Sequence, residues 1–376
     1  MAGIYIHIPF CKQACFYCDF HFSTNMAIKN DMVEAICKEI ELQQEYLNGE
    51  LIRSIYFGGG TPSLLDETHL KSIFNYLNRF HNIAFDAEIT FEANPDDITQ
   101  DKLEILYQNG INRLSVGIQS FDQEVLKWMN RAHNSQEAFR CLELIKKSDF
   151  DNFSLDLIYG IPNSTHETWE KDLKSLVGFQ PPHISSYCLT IEPNTVFGRW
   201  QQKGKLNEAS EDYSSEQFLY LSQYLTNSGY EHYEVSNFAK KGFHSKHNSS
   251  YWEQKSYLGI GPSAHSYDGK NRQFNVSSNG KYLKALQSNE IPAQLDILTQ
   301  EDRINEYLMT SLRTSEGCNL KFLANELNYD LVKNAKPQIE HWKNTGLCTL
   351  EDDILRLTLK GRLLADKLAS DLFLVN

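Results

Sequence analysis

The chain has 376 residues, 41% of them hydrophobic, and a formal net charge of −13. That length and apolar content support a large buried core and two or three domains. No run approaches the roughly 18 apolar residues that span a bilayer, and the acidic balance creates no global field to attract nucleic acid or anionic lipid. The expectation is a soluble protein that binds no nucleic acid and is not integral to a membrane.

Residues 1–8 contain no basic n-region and no apolar segment of secretory length, which points to a cytoplasmic, reducing location. A first strand at 3–8 runs into His7-Ile8-Pro9-Phe10-Cys11-Lys12-Gln13-Ala14-Cys15-Phe16-Tyr17-Cys18, which places three of the eight cysteines at a C-x₃-C-x₂-C spacing. Three thiolates on one short loop can hold a [4Fe–4S] cluster and leave one iron open to a small molecule. The competing reading is a structural zinc ion completed by His7 or His21, although zinc motifs usually come as separated C-x₂-C pairs. Cys37, Cys141, Cys188, Cys318 and Cys348 are scattered, mostly among apolar neighbours, and read as buried free thiols.

Short β-branched and aromatic runs at 3–8, 54–57, 88–92, 113–118, 152–158 and 183–189 alternate with longer helix-like stretches, the pattern of a parallel sheet. Six βα units are two fewer than a closed (β/α)₈ barrel needs. The expected α/β fold is therefore an open partial (β/α)₆ TIM-type barrel, with a doubly wound sheet as second choice. The cysteine loop follows the first strand and Gly58-Gly59-Gly60-Thr61-Pro62-Ser63 the second, while Glu92, Gln119 and Asp156 lie at or near the ends of the next three. In a parallel barrel these ends form the active face. The glycines let backbone approach a ligand closely. Glu92 and Asp156 interrupt apolar segments, so each needs a partner: a ribose hydroxyl, an ammonium group, or, as a purely structural alternative, Arg113 or Arg131.

Residues 1–200 are expected to form this core and 201–295 a cap, with a helix around 213–226, a strand pair beginning in 230–238, and a tight turn at Gly259-Ile260-Gly261-Pro262-Ser263-Ala264-His265 helping to cover the barrel mouth. A third unit, 296–376, opens with the helix start Thr299-x-x-Asp302. It continues through a turn at Gly317, helices to Trp342, a hairpin at 347–357 and a final helix, the order of a winged helix. From Glu301 onward there are twelve acidic and ten basic residues and no Lys/Arg stripe. Packing or docking of an acceptor suits that unit better than DNA binding.

With an aromatic before its last cysteine, the loop after the first strand resembles that of the radical S-adenosylmethionine (SAM) superfamily, and Gly-Gly-Gly-Thr-Pro strengthens the likeness. More narrowly, Tyr5-Ile6-His7-Ile8-Pro9-Phe10-Cys11, Phe91-Glu92-Ala93-Asn94-Pro95, Ser115-Val116-Gly117-Ile118-Gln119-Ser120-Phe121, Arg131-Ala132-His133 and Asp156-Leu157-Ile158-Tyr159-Gly160-Ile161-Pro162 resemble the oxygen-independent coproporphyrinogen oxidase group and its relatives. The resemblance implies a [4Fe–4S] cluster on Cys11, Cys15 and Cys18, with SAM chelating the fourth iron. Tyr5, the Tyr17 backbone, Gly59, Gly60, Thr61, Glu92, Gln119, Arg131 and Asp156 match its SAM-binding positions, Arg131 facing the SAM carboxylate. In the superfamily one electron from the reduced cluster cleaves SAM to methionine and a 5′-deoxyadenosyl radical.

Two features depart from the oxidase itself. It has a further cysteine two places after the third, where this chain has Phe20, and a long N-terminal extension, where ten residues precede Cys11 here. A third is positive: His247-Asn248-Ser249-Ser250-Tyr251-Trp252 matches the H-N-x-x-Y-W signature of the radical SAM heme chaperones of the HemW type, which bind heme and hand it to acceptor proteins. Imidazole can ligate heme iron, and Tyr251 and Trp252 can pack on porphyrin faces; His232, His244 and His265 are competing ligands. Without the resemblance the same residues read as a polar loop anchored by buried aromatics. The family further implies heme-acceptor proteins, membrane-associated ones included, and an electron donor such as flavodoxin or ferredoxin. An oxidase or a radical SAM methyltransferase of porphyrin metabolism is the alternative.

Overall fold

A computed structural model describes residues 2–374. In β1 (Ala2–Ile8) the side chains alternate: Ile4, Ile6 and Ile8 are buried against helices, and Tyr5 and His7 point to the opposite face. Five more strands repeat the pattern: β2 (Ile52–Gly59), β3 (Ile83–Ala93), β4 (Arg113–Gln119), β5 (Phe153–Tyr159) and β6 (His183–Cys188). All six lie parallel and in chain order. The helices Lys29–Leu42, Glu67–Phe80, Gln100–Gln108, Ser135–Lys146, His166–Gly178 and Glu211–Asn227 follow the successive strands. Several starts are fixed by side-chain caps, with capping boxes at Asp66 and Asn134 and hydroxyl caps at Thr99, Thr165 and Ser210.

The expected open barrel is present, and its edges do not pair with each other. The twelve-stranded sheet ends at β7 (Glu231–Glu234) beyond β6 and at β12 (Ala293–Asp296) on the far side of β1. Residues 201–295 widen both edges. β7 and β8 (Asn237–Ala239) extend β6 antiparallel, while β9 (Tyr257–Ile260) pairs parallel with β1 and leads through β10 (His265–Tyr267) and β11 (Arg272–Asn275) to β12. Phe218, Phe238, Leu258 and Tyr282 pack in the same hydrophobic cluster as Ile6 and Leu155, so this segment is continuous with the barrel core.

The remaining chain has its own core around Leu308, Leu323, Trp342, Leu355 and Leu368. There the helices Gln300–Ser311, Leu320–Glu326 and Leu331–Asn344 pack on a small sheet of β13 (Cys318–Asn319), β15 (Ile354–Leu357) and β14 (Cys348–Glu351), a winged arrangement. It is tied to the barrel by Val235 N–H to the Arg313 carbonyl at 3.0 Å, Ser315 N–H to the Tyr233 carbonyl at 2.9 Å and Arg362 Nη1 to the His232 carbonyl at 2.9 Å. Among the described residues, no helix is long and apolar enough to cross a membrane.

Candidate functional site

The C-terminal ends of the six strands open into a cavity of about 440 Å³. Its wall includes Cys11, Cys15 and Cys18, then Tyr17, Gly59, Gly60, Thr61, Glu92, Gln119, Arg131 and Asp156, so the structure gathers every residue named above for the cluster and SAM except Tyr5, which stands behind the wall. The three cysteines are half-buried free thiols on an irregular loop. Neighbours that do not move with it hold that loop: Phe16 N–H donates to the Met129 carbonyl at 3.0 Å, Asn130 Nδ2 to the Ala14 carbonyl at 2.8 Å, and Lys12 pairs with Asp96 at 2.8 Å and with Asp97.

Hydrogen-bond donors already point at the sulfurs. Thr61 Oγ1 donates to Cys11 Sγ and Arg131 Nη1 to Cys15 Sγ, both at 3.4 Å. Burial raises the Cys11 thiol and pushes Cys18 up to about 12, so in the metal-free loop these two thiols keep their protons at neutral pH. A metal cluster reverses this by binding thiolates, and the N–H and O–H donors then meet charged sulfur. Among the described residues no three His, Cys, Asp or Glu side chains converge to hold a single metal ion. Three thiolate donors on one loop, each met by a hydrogen-bond donor and all open to a cavity, fit an iron–sulfur cluster.

His7, the expected alternative ligand of a zinc ion, is occupied elsewhere. Its Nε2 donates to the His21 carbonyl at 2.8 Å, so its Nδ1 accepts from Tyr5 Oη at 3.1 Å. Burial lowers its pKa to about 4 and keeps the ring neutral. The ring is wedged against Gly59, where an added Cβ would lie 2.5 Å from it at a φ of +102°. Only glycine fits there, which is the local reason for the triple glycine. His21 instead bonds Asn279 Oδ1 at 2.7 Å.

The two carboxylates do not form the ion pairs offered as a structural alternative. Glu92 accepts from Tyr56 Oη at 2.8 Å, and burial, reinforced by Asp156, raises its pKa to about 8. Asp156 accepts from Ser115 and Ser154 at 3.3 Å each and is raised by burial to about 6. Gln119 ends β4 beside a register shift with a left-handed φ of +67°, a strained conformation for a residue with a side chain. Arg131 is heavily engaged by the protein itself. Its Nη1 bonds Cys15 Sγ and Tyr17 Oη, and its Nη2 bonds Asn94 Oδ1 at 2.8 Å and the Gly117 carbonyl at 2.9 Å. Only Nε stays buried without a partner, so this guanidinium is chiefly a clamp on the cysteine loop.

The H-N-x-x-Y-W segment forms the helix Lys246–Trp252 at the opposite end of the barrel. Glu88 accepts from the backbone N–H groups of Lys246 and His247 at 3.1 and 3.0 Å. His247 is 1% exposed, with Nδ1 on Ser54 Oγ at 2.9 Å and Nε2 on Tyr251 Oη at 2.8 Å, and burial lowers its pKa to about 3. Both ring nitrogens are thus engaged inside the barrel floor. Asn248 reaches the cavity wall, and Trp252 meets the Arg313 guanidinium at 5.9 Å. Of the competing histidines, His232 is half-buried on Ser222 and Phe238, while His244 and His265 are exposed.

Sequence reasoning missed Tyr56, Asn94, Ser115, Ser185 and Tyr187 on the cavity wall, and took Cys188 for a buried thiol although it is exposed there. Reading β4 backwards from Gln119 in steps of two yields Gly117, Ser115 and Arg113, all cavity residues. Phe20, in place of the oxidase's extra cysteine, is 68% exposed on the rim.

A six-stranded partial barrel that feeds a C-x₃-C-x₂-C loop from its first strand into a cavity lined by glycine backbone, Glu92 and Asp156 defines a radical SAM protein. The Radical SAM superfamily profile matches residues 5–176, and that of the HemN C-terminal domain residues 298–364. Curated relatives named heme chaperone HemW are 33% identical in Bacillus subtilis, over 98% of each chain, and 34% identical in Escherichia coli, over 99% of this chain and 98% of that one. The Synechocystis protein of that name is 38% identical over 83% of this chain and 78% of its own. The chain belongs to the HemW family. A [4Fe–4S] cluster and SAM follow from that membership. The solved structure of coproporphyrinogen III oxidase (HemN) from Escherichia coli superposes with a TM-score of 0.85 at 24% identity, covering 99% of this chain and 90% of that one, and shows the shared fold.

Proposed function

We propose that this chain is a heme chaperone: it holds heme and passes it to acceptor proteins, membrane-associated ones included, in the cytoplasm. The observation that carries the reading is the likeness over nearly the whole chain to relatives named heme chaperones. Phe20 at the position of the oxidase's extra cysteine argues in the same direction.

In this reading Cys11, Cys15 and Cys18 hold the cluster. Gly59, Gly60 and Thr61 offer backbone groups to the SAM amino group, and Glu92 and Asp156 accept from ribose hydroxyls or face the sulfonium. Tyr5 and His7 fix the ring that shapes Gly59, the Tyr17 backbone and Gln119 close the cavity, and Arg131 positions Cys15 while its free Nε faces the SAM carboxylate. When reduced, by flavodoxin or ferredoxin, the bound cluster supplies one electron for cleaving SAM. Within the heme motif, His247 and Tyr251 brace the floor, leaving Asn248 and Trp252 as the groups nearest a guest. Ligation of heme iron by His247 requires the helix Lys246–Trp252 to leave its seat. The unit 296–376 is the docking element.

The test is anaerobic incubation of reconstituted protein with coproporphyrinogen III, SAM and reductant, beside a hemin-loaded sample mixed with an apo-hemoprotein. The expected result is no protoporphyrinogen, stoichiometric hemin retention and transfer of hemin to the acceptor. Protoporphyrinogen formation overturns the reading in favour of the oxidase.

A further inference from the structure

Arg113 is the largest fully buried side chain of the protein, 1% exposed. It is the first residue of β4, and Gln119, at the mouth, is the last; at about 3.3 Å per residue some 20 Å of strand separates them. Arg113 therefore lines the floor of the same cavity whose rim carries the cysteines. Its Nε and Nη2 are buried without a hydrogen-bond partner, and among the described residues it forms no ion pair. An uncompensated buried charge is strongly destabilising, so proteins pair such charges.

The surroundings are donors more than acceptors. Thr90, the register partner of Arg113 on β3, has a buried hydroxyl that is also without a partner. Asn248 lines the cavity with a further amide, while the Ser115 and Ser185 hydroxyls there are turned to Asp156. Asp156 feels the positive charge, yet its hydrogen bonds come from serines. His183 and His247, the neighbouring rings, are held neutral by burial. A buried guanidinium with two free nitrogens beside an unpartnered hydroxyl, and with no anion in contact, is the donor set of an anion site.

We propose that the barrel floor binds one small monovalent anion, a halide or a short carboxylate such as formate, on the Arg113 guanidinium, and that this anion strengthens SAM binding at the mouth. Size sets the class, because the whole cavity is about 440 Å³ and SAM shares it. The linkage rests on the SAM reading above. An anion on Arg113 neutralises a positive charge beneath a cationic sulfonium. Binding free energies are reciprocal, so SAM equally strengthens anion binding.

The experiment uses the reconstituted holoprotein. A bromide-soaked anaerobic crystal is expected to show an anomalous peak within hydrogen-bond distance of Arg113. In solution at constant ionic strength, replacing gluconate by chloride, bromide or formate is expected to raise the melting temperature and to tighten SAM severalfold by equilibrium dialysis. Arg113→Met abolishes the melting response; should it fold poorly, Thr90→Val, which leaves the charge intact, weakens that response instead. Absence of bromide from Arg113, bromide in crystals without a solution response, or a response that survives Arg113→Met overturns the site. An anion-dependent melting temperature with unchanged SAM affinity overturns the linkage alone. If SAM fails to bind in any salt, it is the SAM reading that falls, while bromide on Arg113 still stands.

Discussion

Glu39 and the barrel interior are both buried and both ionisable, but they are built in opposite ways. The Glu39 carboxylate accepts from Gln43 Nε2 at 2.8 Å, Asn275 Nδ2 at 2.7 Å, Tyr282 Oη at 2.5 Å and Gly261 N–H at 2.8 Å. It thereby ties the helix Lys29–Leu42 to the turn after β9, to β11 and to the helix Asn279–Gln287. In the barrel, Glu92 has Tyr56 and the Gly59 backbone, Asp156 has only serine hydroxyls, two of them at 3.3 Å, and Arg113 has no partner at Nε or Nη2. A carboxylate with four donors has no lone pair left to offer and serves as a structural knot. Groups left under-satisfied behind a cavity keep their bonding capacity for a guest. Burial alone does not separate these roles; saturation does.

The comparison breaks first at the cysteines. Cys15→Ala is expected to reduce the iron and sulfide of reconstituted protein to background, while the urea midpoint of the metal-free chain changes little, because the thiols are half-exposed and bear no load. A large loss of metal-free stability would place the loop with the structural knots. Next comes Glu39→Leu, which leaves several buried donors unpaired and is expected to cost about 3–5 kcal/mol in urea unfolding. Cluster content per folded molecule stays intact. His247→Ala removes two hydrogen bonds and opens space in the floor, with an expected cost of about 2–3 kcal/mol. If the side chain braces the floor, the Soret band of hemin-loaded protein does not move; a shifted band with unchanged stability would restore it as the axial ligand.

The smallest effect is a slope. Glu92 is raised from 4.5 to about 8 in the folded chain, so between about pH 5 and 8 the folded state holds more protons than the unfolded one. Stability then falls as pH rises through that window. Glu92→Gln is expected to flatten this part of the profile, read from urea midpoints at pH 5.5 and 8, and to weaken SAM binding. An unchanged slope would mean that Glu92 is solvated and belongs with neither region.

Much of this was legible in the residues. The strands at 113–118 and 152–158 are observed as Arg113–Gln119 and Phe153–Tyr159, because buried parallel strands write themselves as apolar runs. β3 begins at Ile83 and not at 88, since its exposed first half, with Phe85 and Asp86, lacks that signature. β9 to β12 were not legible. They are three or four residues long, and the strand that anchors them to the sheet, β1 beside β9, is far away in sequence. The convergence of the SAM-matching residues could be read from strand ends, because chain order sets strand order in this fold. The direction in which His247 points could not. A seven-residue motif helix gives no hint of which end of the barrel it closes, and the deciding contacts, Ser54 and Glu88, come from strands well over a hundred residues earlier. The contacts of Arg131 to Cys15, Tyr17, Asn94 and Gly117 could not be read either, because a motif names a residue and not which of its nitrogens are already taken.

β1 lies in the middle of the sheet, with Gly3 opposite Ser54 on one side and Tyr257 on the other. Of the barrel strands, β1 is thus made before the others and is the last to be enclosed. At 5–20 residues per second, roughly 10–50 s pass before its second neighbour is synthesised, and throughout that interval Ile4, Ile6 and Ile8 sit beside an unpaired strand edge. A nascent chain of this protein is therefore a natural client for the folding machinery of its own host, and expression temperature and translation speed should govern its soluble yield more than the stability of the finished barrel does.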